Sequence, residues 1–230
     1  MEEERRFDPQ MAARAFEGAT IEDYGHPLRY QVHKLGKLRL PTGAVVAADA
    51  LVFPDSAPFT RRVPPGRYPV DIALAHLADG YSYIAFARLT FDRAVPVSWE
   101  LALTEADAAE SQPPEKPGYG VDSGTGCFMD ARTGALAVGW FRGNELLREL
   151  LENRIIKKMD ARRDSGACAA IVRPVFWRLA SIAFFNSGRG DGLYASSFGL
   201  DASGKAVQLI TDFRVRNPKE QRERAARELL

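Results

Sequence analysis

The chain is short of nearly everything that announces a chemistry. Among its 230 residues there are two cysteines and three histidines. Cys127 and Cys168 could close one bridge, but a chain of this length with an ample apolar fraction does not need one. Two reduced thiols in a cytoplasmic protein are therefore the expectation. His26, His33 and His76 form no His-Glu-x-x-His pattern, and no Gly-x-Ser-x-Gly elbow is present, so zinc-peptidase and α/β-hydrolase signatures are absent. Charge of one sign is missing as well. Thirty-one basic residues against 30 acidic leave a formal +1, without the surplus a general nucleic-acid binder uses to neutralise phosphates. No run of 18 apolar residues exists, and the opening Met-Glu-Glu-Glu-Arg-Arg leads into no apolar stretch. Neither a membrane span nor a secretory signal is expected.

What is present is the material of a packed domain, 46% hydrophobic and 27% charged, and a single domain over 1–230 is the expectation. Asp8-Pro9 reads as a helix cap followed by proline at the first helical position, with Gly18 as the stop. From Leu28 the pattern changes to alternating runs. Leu28–Leu40 and Ala44–Phe53 flank Pro41-Thr42-Gly43 as a first hairpin, and Tyr68–Leu77, Tyr81–Phe91 and Val95–Leu103 read as strands, with Asp79-Gly80 a tight turn. Thr104–Pro117 reads as a solvated loop. Thr133–Phe141 looks like a strand, and a helix capped by Asn144 follows, with Leu147, Leu151 and Ile155 at helical spacing. Cys168–Arg173 and Val175–Phe185 are strand-like, Leu193–Leu200 and Ala206–Val215 form a hairpin, and Asn217-Pro218 opens a terminal helix. Strands in runs with isolated helices imply an α+β fold, a mainly antiparallel sheet or sandwich with two or three packed helices.

Two segments combine many glycines with acids: Gly118–Asp130 and Asn186–Tyr194. Glycine at this density implies positive φ or a close backbone approach. Asp122, Asp130 and Asp191 are candidate cation ligands or catalytic carboxylates. Ser123, Gly124, Thr125, Gly126, Asn186, Gly190 and Asp212 would complete an oxygen-rich pocket, with the Gly124–Gly126 amides as an anion cradle. Turn chemistry alone explains each loop, since Asp side chains bond nearby amides. Gly199–Lys205 matches a phosphate loop up to Ala206, where Ser or Thr should follow, and its hairpin context does not fit one.

The stretches Pro64-Pro-Gly-Arg-Tyr-Pro-Val-Asp71, Trp99-Glu-Leu-Ala102, Gly120-Val-Asp-Ser-Gly-Thr-Gly-Cys-Phe-Met-Asp130, Asn186-Ser-Gly-Arg-Gly-Asp-Gly-Leu-Tyr194 and Thr211-Asp-Phe213 together resemble a bacterial family catalogued only as a domain of unknown function. The resemblance runs from Gly36 to Phe213 and implies one bacterial domain without importing an activity. Two function classes follow. The first is a cytoplasmic protein whose Gly/Asp pocket binds a divalent cation or small polar ligand, with hydrolysis if the carboxyl spacing suits it. The second is a non-enzymatic module of immunity or adaptor type that binds another protein through an apolar patch. Convergence of Asp122, Asp130, Asp191 and Asp212 would favour the first, and dispersal the second.

Overall fold

The computed structural model describes residues 7–52, 57–110, 118–143, 145–161, 166–173 and 180–217. Two antiparallel sheets pack face to face, with one short helix over part of the outer face of the larger and two helices on the outer face of the smaller. The order is therefore helix, sheet, sheet, helix.

The first sheet contains β1 (Thr20–Asp23), β2 (His26–Leu40), β4 (Gly66–His76), β5 (Ser82–Thr90), β13 (Ala206–Asp212), β12 (Ser196–Leu200) and β6 (Ser98–Leu101), in that spatial order. The second runs β3 (Val45–Asp49), β8 (Thr125–Asp130), β10 (Ile182–Asn186), β9 (Ala169–Val172). A two-stranded ribbon joins β7 (Tyr119–Val121) to β11 (Gly192–Tyr194). This is the α+β, mainly antiparallel architecture expected. The core between the sheets holds Leu38, Val70, Leu89 and Leu209 from one side and Val45, Ala47, Phe128 and Phe185 from the other.

α1 (Pro9–Phe16) lies on the outer face of the large sheet. Asp8 caps it by accepting from the Gln10 and Met11 amides, Pro9 occupies the first helical position, and Gly18 ends it at φ +72°. α3 (Ala131–Gly143) and α4 (Glu145–Asp160) cover the outer face of the small sheet, where Val46, Cys127, Met129 and Phe184 meet Ala137 and Ile155. With both faces covered, all five residues of β3 are buried, and the alternation that marks a half-exposed strand disappears.

Several local expectations are met. The Asp79-Gly80 turn closes with the Leu77 amide on the Tyr81 carbonyl and the Asp79 carboxylate on the Tyr81 amide. The β12–β13 hairpin turns on Asp201, whose carboxylate accepts from Ser203 N, Ser203 Oγ and Lys205 N. That stretch is a turn and not a phosphate loop.

Three expectations are corrected. The first hairpin does not form: β2 pairs with β1 and β4, while β3 crosses to the other sheet and pairs with β8. The segment read as a strand, Thr133–Phe141, lies within the helix α3. Within the expected loop, Glu105–Ala109 forms the short helix α2, closed by a capping box between Thr104 and Asp107, which satisfies the first free amides. Asn144, Val175 to Leu179 and the terminal helix after Asn217 lie outside the described residues.

Candidate functional site

The two Gly/Asp loops do meet. The Ser187 amide donates to the Gly124 carbonyl at 3.0 Å, and a Cβ built on Gly124 would lie 3.7 Å from the Gly190 Cα. The β7–β11 ribbon ends with Val121 opposite Gly192, so Asp122 and Asp191 follow at its tip, both exposed.

The other acids of the set are elsewhere. Asp130 closes the far end of β8, and the five steps from Thr125 to Asp130 span about 17 Å of strand. It is fully buried, and both its oxygens are engaged. Oδ2 accepts from Thr42 N at 2.9 Å and Thr42 Oγ1 at 2.8 Å, and Oδ1 accepts from Arg132 N at 2.9 Å. Its work is structural: it pins the Pro41–Gly43 corner where the chain changes sheets, and it caps the first turn of α3. Asp130→Ala leaves the donors of three part-buried hydrogen bonds without their acceptor. It is expected to lower unfolding stability by about 2–3 kcal/mol, read as a reduced urea midpoint.

Asp212 ends β13. Its neighbour Phe213 passes under the second loop, 2.9 Å from a Cβ built on Gly188. Strand alternation sends the Asp212 side chain the other way, where it accepts from Arg214 N at 2.7 Å. Burial pushes its carboxyl upward, against the Arg214 amide bond and the charges of Arg216 and Arg214. Among the described residues no three His, Cys, Asp or Glu side chains are grouped to hold a metal. The expected trio of Asp122, Asp130 and Asp191 is thus divided between the two ends of β8.

The remaining loop residues serve the backbone. Thr125 Oγ1 donates weakly to Ser123 O at 3.4 Å. Asn186 ends β10 opposite Thr125, and its amide bonds Cys168 O. Gly126 is a ladder residue between Asp49 and Phe185. A Cβ there would meet the Phe185 ring at 2.9 Å and Tyr119 Oη at 3.0 Å. Gly190 closes the second turn: its amide bonds Ser187 O, and its carbonyl accepts from Ser187 Oγ and Tyr194 Oη.

The residue missing from the sequence reading is Asp49. It is 2% exposed. Its Oδ2 accepts from the Asp122 and Ser123 amides at 2.8 Å each, and its Oδ1 from Ser123 Oγ at 2.7 Å, Leu51 N at 2.8 Å and Val52 N at 2.9 Å. The amides that cradle an anion are those of Asp122 and Ser123, not the Gly124–Gly126 amides expected, and the anion is the protein's own carboxylate. Burial works to raise the Asp49 carboxyl, but the bonds from Ser123, Val52 and Leu51 outweigh it and hold the group below the usual carboxylate range.

Cys127 is a poor nucleophile. It is buried against the helix layer, and burial, with the nearby Asp49 charge, pushes its thiol far above the usual range, so little reactive thiolate forms at neutral pH. Cys127 and Cys168 are not bridged. Native protein is expected to react with a thiol reagent at Cys168 long before Cys127, as peptide mass mapping of the labelled chain would show. Equal labelling would contradict the burial.

A second place has the dimensions of a binding site. Between α1 and the outer face of the large sheet lies a cavity of about 520 Å³, floored by Arg88, Thr90, Gln208 and Ile210 and walled by Phe16 and Trp99. Alternation along β5 and β13 places the first four on one face of adjacent strands, since Gln208 pairs with Thr90 and Ile210 with Arg88. Arg88 is held from two sides: Nη2 donates to Asp71 Oδ2 at 2.9 Å, and the guanidinium carbon sits 3.9 Å over the Phe16 ring centroid. Across the groove, Gly199 leaves room for Trp99 and Pro96 to lie against β12. A Cβ at 199 would meet Pro96 Cβ at 2.8 Å and the indole at 3.0 Å.

No helix among the described residues is long and apolar enough to cross a membrane. Neither the curated proteins nor the solved structures give a match. A family model does match, over residues 38–211, from the end of β2 to β13, and so takes in the whole small sheet and the large sheet apart from β1 and most of β2. The chain belongs to that family, DUF4241, described as a protein of unknown function.

Proposed function

We propose that this chain is a small-ligand-binding protein whose site is the groove beneath α1. One observation carries the reading. The groove joins a volume suited to a small molecule, about 520 Å³, with apolar walls and a few convergent polar groups. The buried carboxylates near the Gly/Asp loops, by contrast, are taken up by backbone amides. Ligand-observed NMR with a fragment library tests it. Fragments that bind the wild type should be lost with Thr90→Trp, which fills the groove from a strand position that tolerates an aromatic side chain. A library without hits, or hits that survive Thr90→Trp at unchanged melting temperature, overturns the reading.

A protein-interaction role draws on a different observation. α4 leaves Leu146, Leu150 and Ile156 at 64%, 55% and 48% exposure, more apolar surface than a helix needs for packing on one side. Affinity purification with the wild type and with Leu150→Lys tests this second reading. A stoichiometric partner lost with the variant supports it, and the absence of any such partner rejects it.

A further inference from the structure

The charges around the groove narrow its ligand further. Arg88 is compensated by Asp71, Asp92 by Lys205 at 2.7 Å and Glu17 by Arg14 at 3.6 Å. Arg93 also lines the cavity, and among the described residues it has no ion pair. One positive charge is therefore left over. The Arg88 side chain is 21% exposed, and its Nε is buried without a hydrogen-bond partner among the described residues. A desolvated donor of this kind favours an incoming acceptor. Asp71 and the Phe16 ring hold the guanidinium in place, so little side-chain freedom would be lost when a ligand arrives.

The rest of the lining is largely apolar, with Trp99, Pro96, Ala13, Phe16 and Ile210, and the Phe16 ring lies against the Arg88 guanidinium itself. Phe7 packs on the Trp99 indole with ring centroids 4.8 Å apart, which fixes that wall. Thr90 and Gln208 add neutral hydrogen-bonding groups to the floor.

We propose that the groove binds a small amphipathic monoanion, an aromatic or unsaturated carboxylate, with its carboxylate on the lining arginines and its apolar body against Trp99 and Pro96. A single uncompensated cation suits one negative charge, and a dianion such as a phosphate monoester would leave one of its charges unmatched. The inference rests on the groove being the binding site.

The probes are indole-3-acetate and its neutral amide, indole-3-acetamide, titrated by saturation-transfer NMR at low salt against the full chain. The acid is expected to bind about tenfold more tightly than the amide, as one charge-assisted hydrogen bond would supply. That preference should shrink several-fold with Arg93→Gln, an exposed substitution with no structural role, and should fall at raised ionic strength. The double variant Arg88→Gln/Asp71→Asn, which leaves no lone buried charge, should abolish it. If acid and amide bind equally and Thr90→Trp removes both, the groove is the site but the monoanion assignment is wrong. If neither probe binds while library fragments do, the ligand class is again wrong. An acid preference that survives both Thr90→Trp and the Arg88 double variant places the probe elsewhere and overturns the proposal.

Discussion

Gly118→Ala is expected to lower unfolding stability by about 3–4 kcal/mol, the sum of a close backbone overlap and a strained dihedral. Gly118 has φ +130°, and a Cβ there would stand 2.4 Å from the Tyr194 carbonyl oxygen, 2.5 Å from its carbon and 2.8 Å from Ala195 N. All three are backbone atoms of the facing chain, so no rotamer change relieves the overlap. The ribbon must open where Tyr119 pairs with Tyr194, and with it the tip that carries Asp122 and Asp191. At about 2–4 °C per kcal/mol for a chain of this size, the melting temperature should fall by roughly 6–16 °C. Gly120 is the internal control. It lies two residues on in the same strand, has no positive φ, and a Cβ there would meet nothing within 4 Å. Gly120→Ala should stay within about 0.5 kcal/mol of the wild type. Equal urea midpoints for the two variants would refute the close-approach argument.

These glycines show what the sequence could and could not reveal. Their density around 118–126 and 186–192 signals close approach, and close approach is what Gly118, Gly126 and Gly188 provide. What approaches is protein, not ligand: the Tyr194 backbone, the Phe185 ring and the Phe213 backbone. Elements governed by local chemistry were legible. α1 follows from Asp8-Pro9 and Gly18, the β4–β5 turn from Asp79-Gly80, and the last hairpin from Asp201–Gly204. Elements governed by distant contacts were not. Ala44–Phe53 reads as the second arm of a hairpin because nothing in it says that β3 must reach β8, some 80 residues later. Thr133–Phe141 carries two glycines and alternates enough to resemble a strand. In the structure it is a helix, and Asp130 caps its first turn. The same carboxylate was assigned to catalysis, so one unrecognised cap accounts for both misreadings. The groove was invisible for a related reason. Arg88, Trp99, Phe16 and Gln208 come from four separate elements, and only the strand order β5-β13-β12-β6 brings them together.

Asp49→Ala is expected to cost about 3–4 kcal/mol at neutral pH, because five donors lose a charged acceptor, although such losses do not add in full. The residue had one sequence signal: it is the lone acid in the apolar stretch Ala44–Phe53 before Pro54, and an acid between buried neighbours needs partners. Asp49→Asn should cost nearly as much. Its amide oxygen can replace one carboxylate oxygen, but its NH₂ would face the donors that the other oxygen now accepts. The pH dependence separates this role from simple packing. The folded-state pKa of Asp49 is depressed below its ordinary value near 3.8. Its contribution is therefore fully present above that value and is lost as the pH falls through the lower, folded value. Asp212 has the opposite sign. Its raised folded-state pKa costs stability above that value, and protonation relieves the cost as the pH falls. The gap in unfolding free energy between wild type and Asp49→Asn should thus hold constant from pH 7 to about 5 and narrow below about 4. The same comparison for Asp212→Asn should show the variant gaining on the wild type at neutral pH and converging with it in acid. Paired urea titrations across that range read both. An Asp49 gap independent of pH down to 2.5 would mean that the carboxylate's charge does not hold the loop.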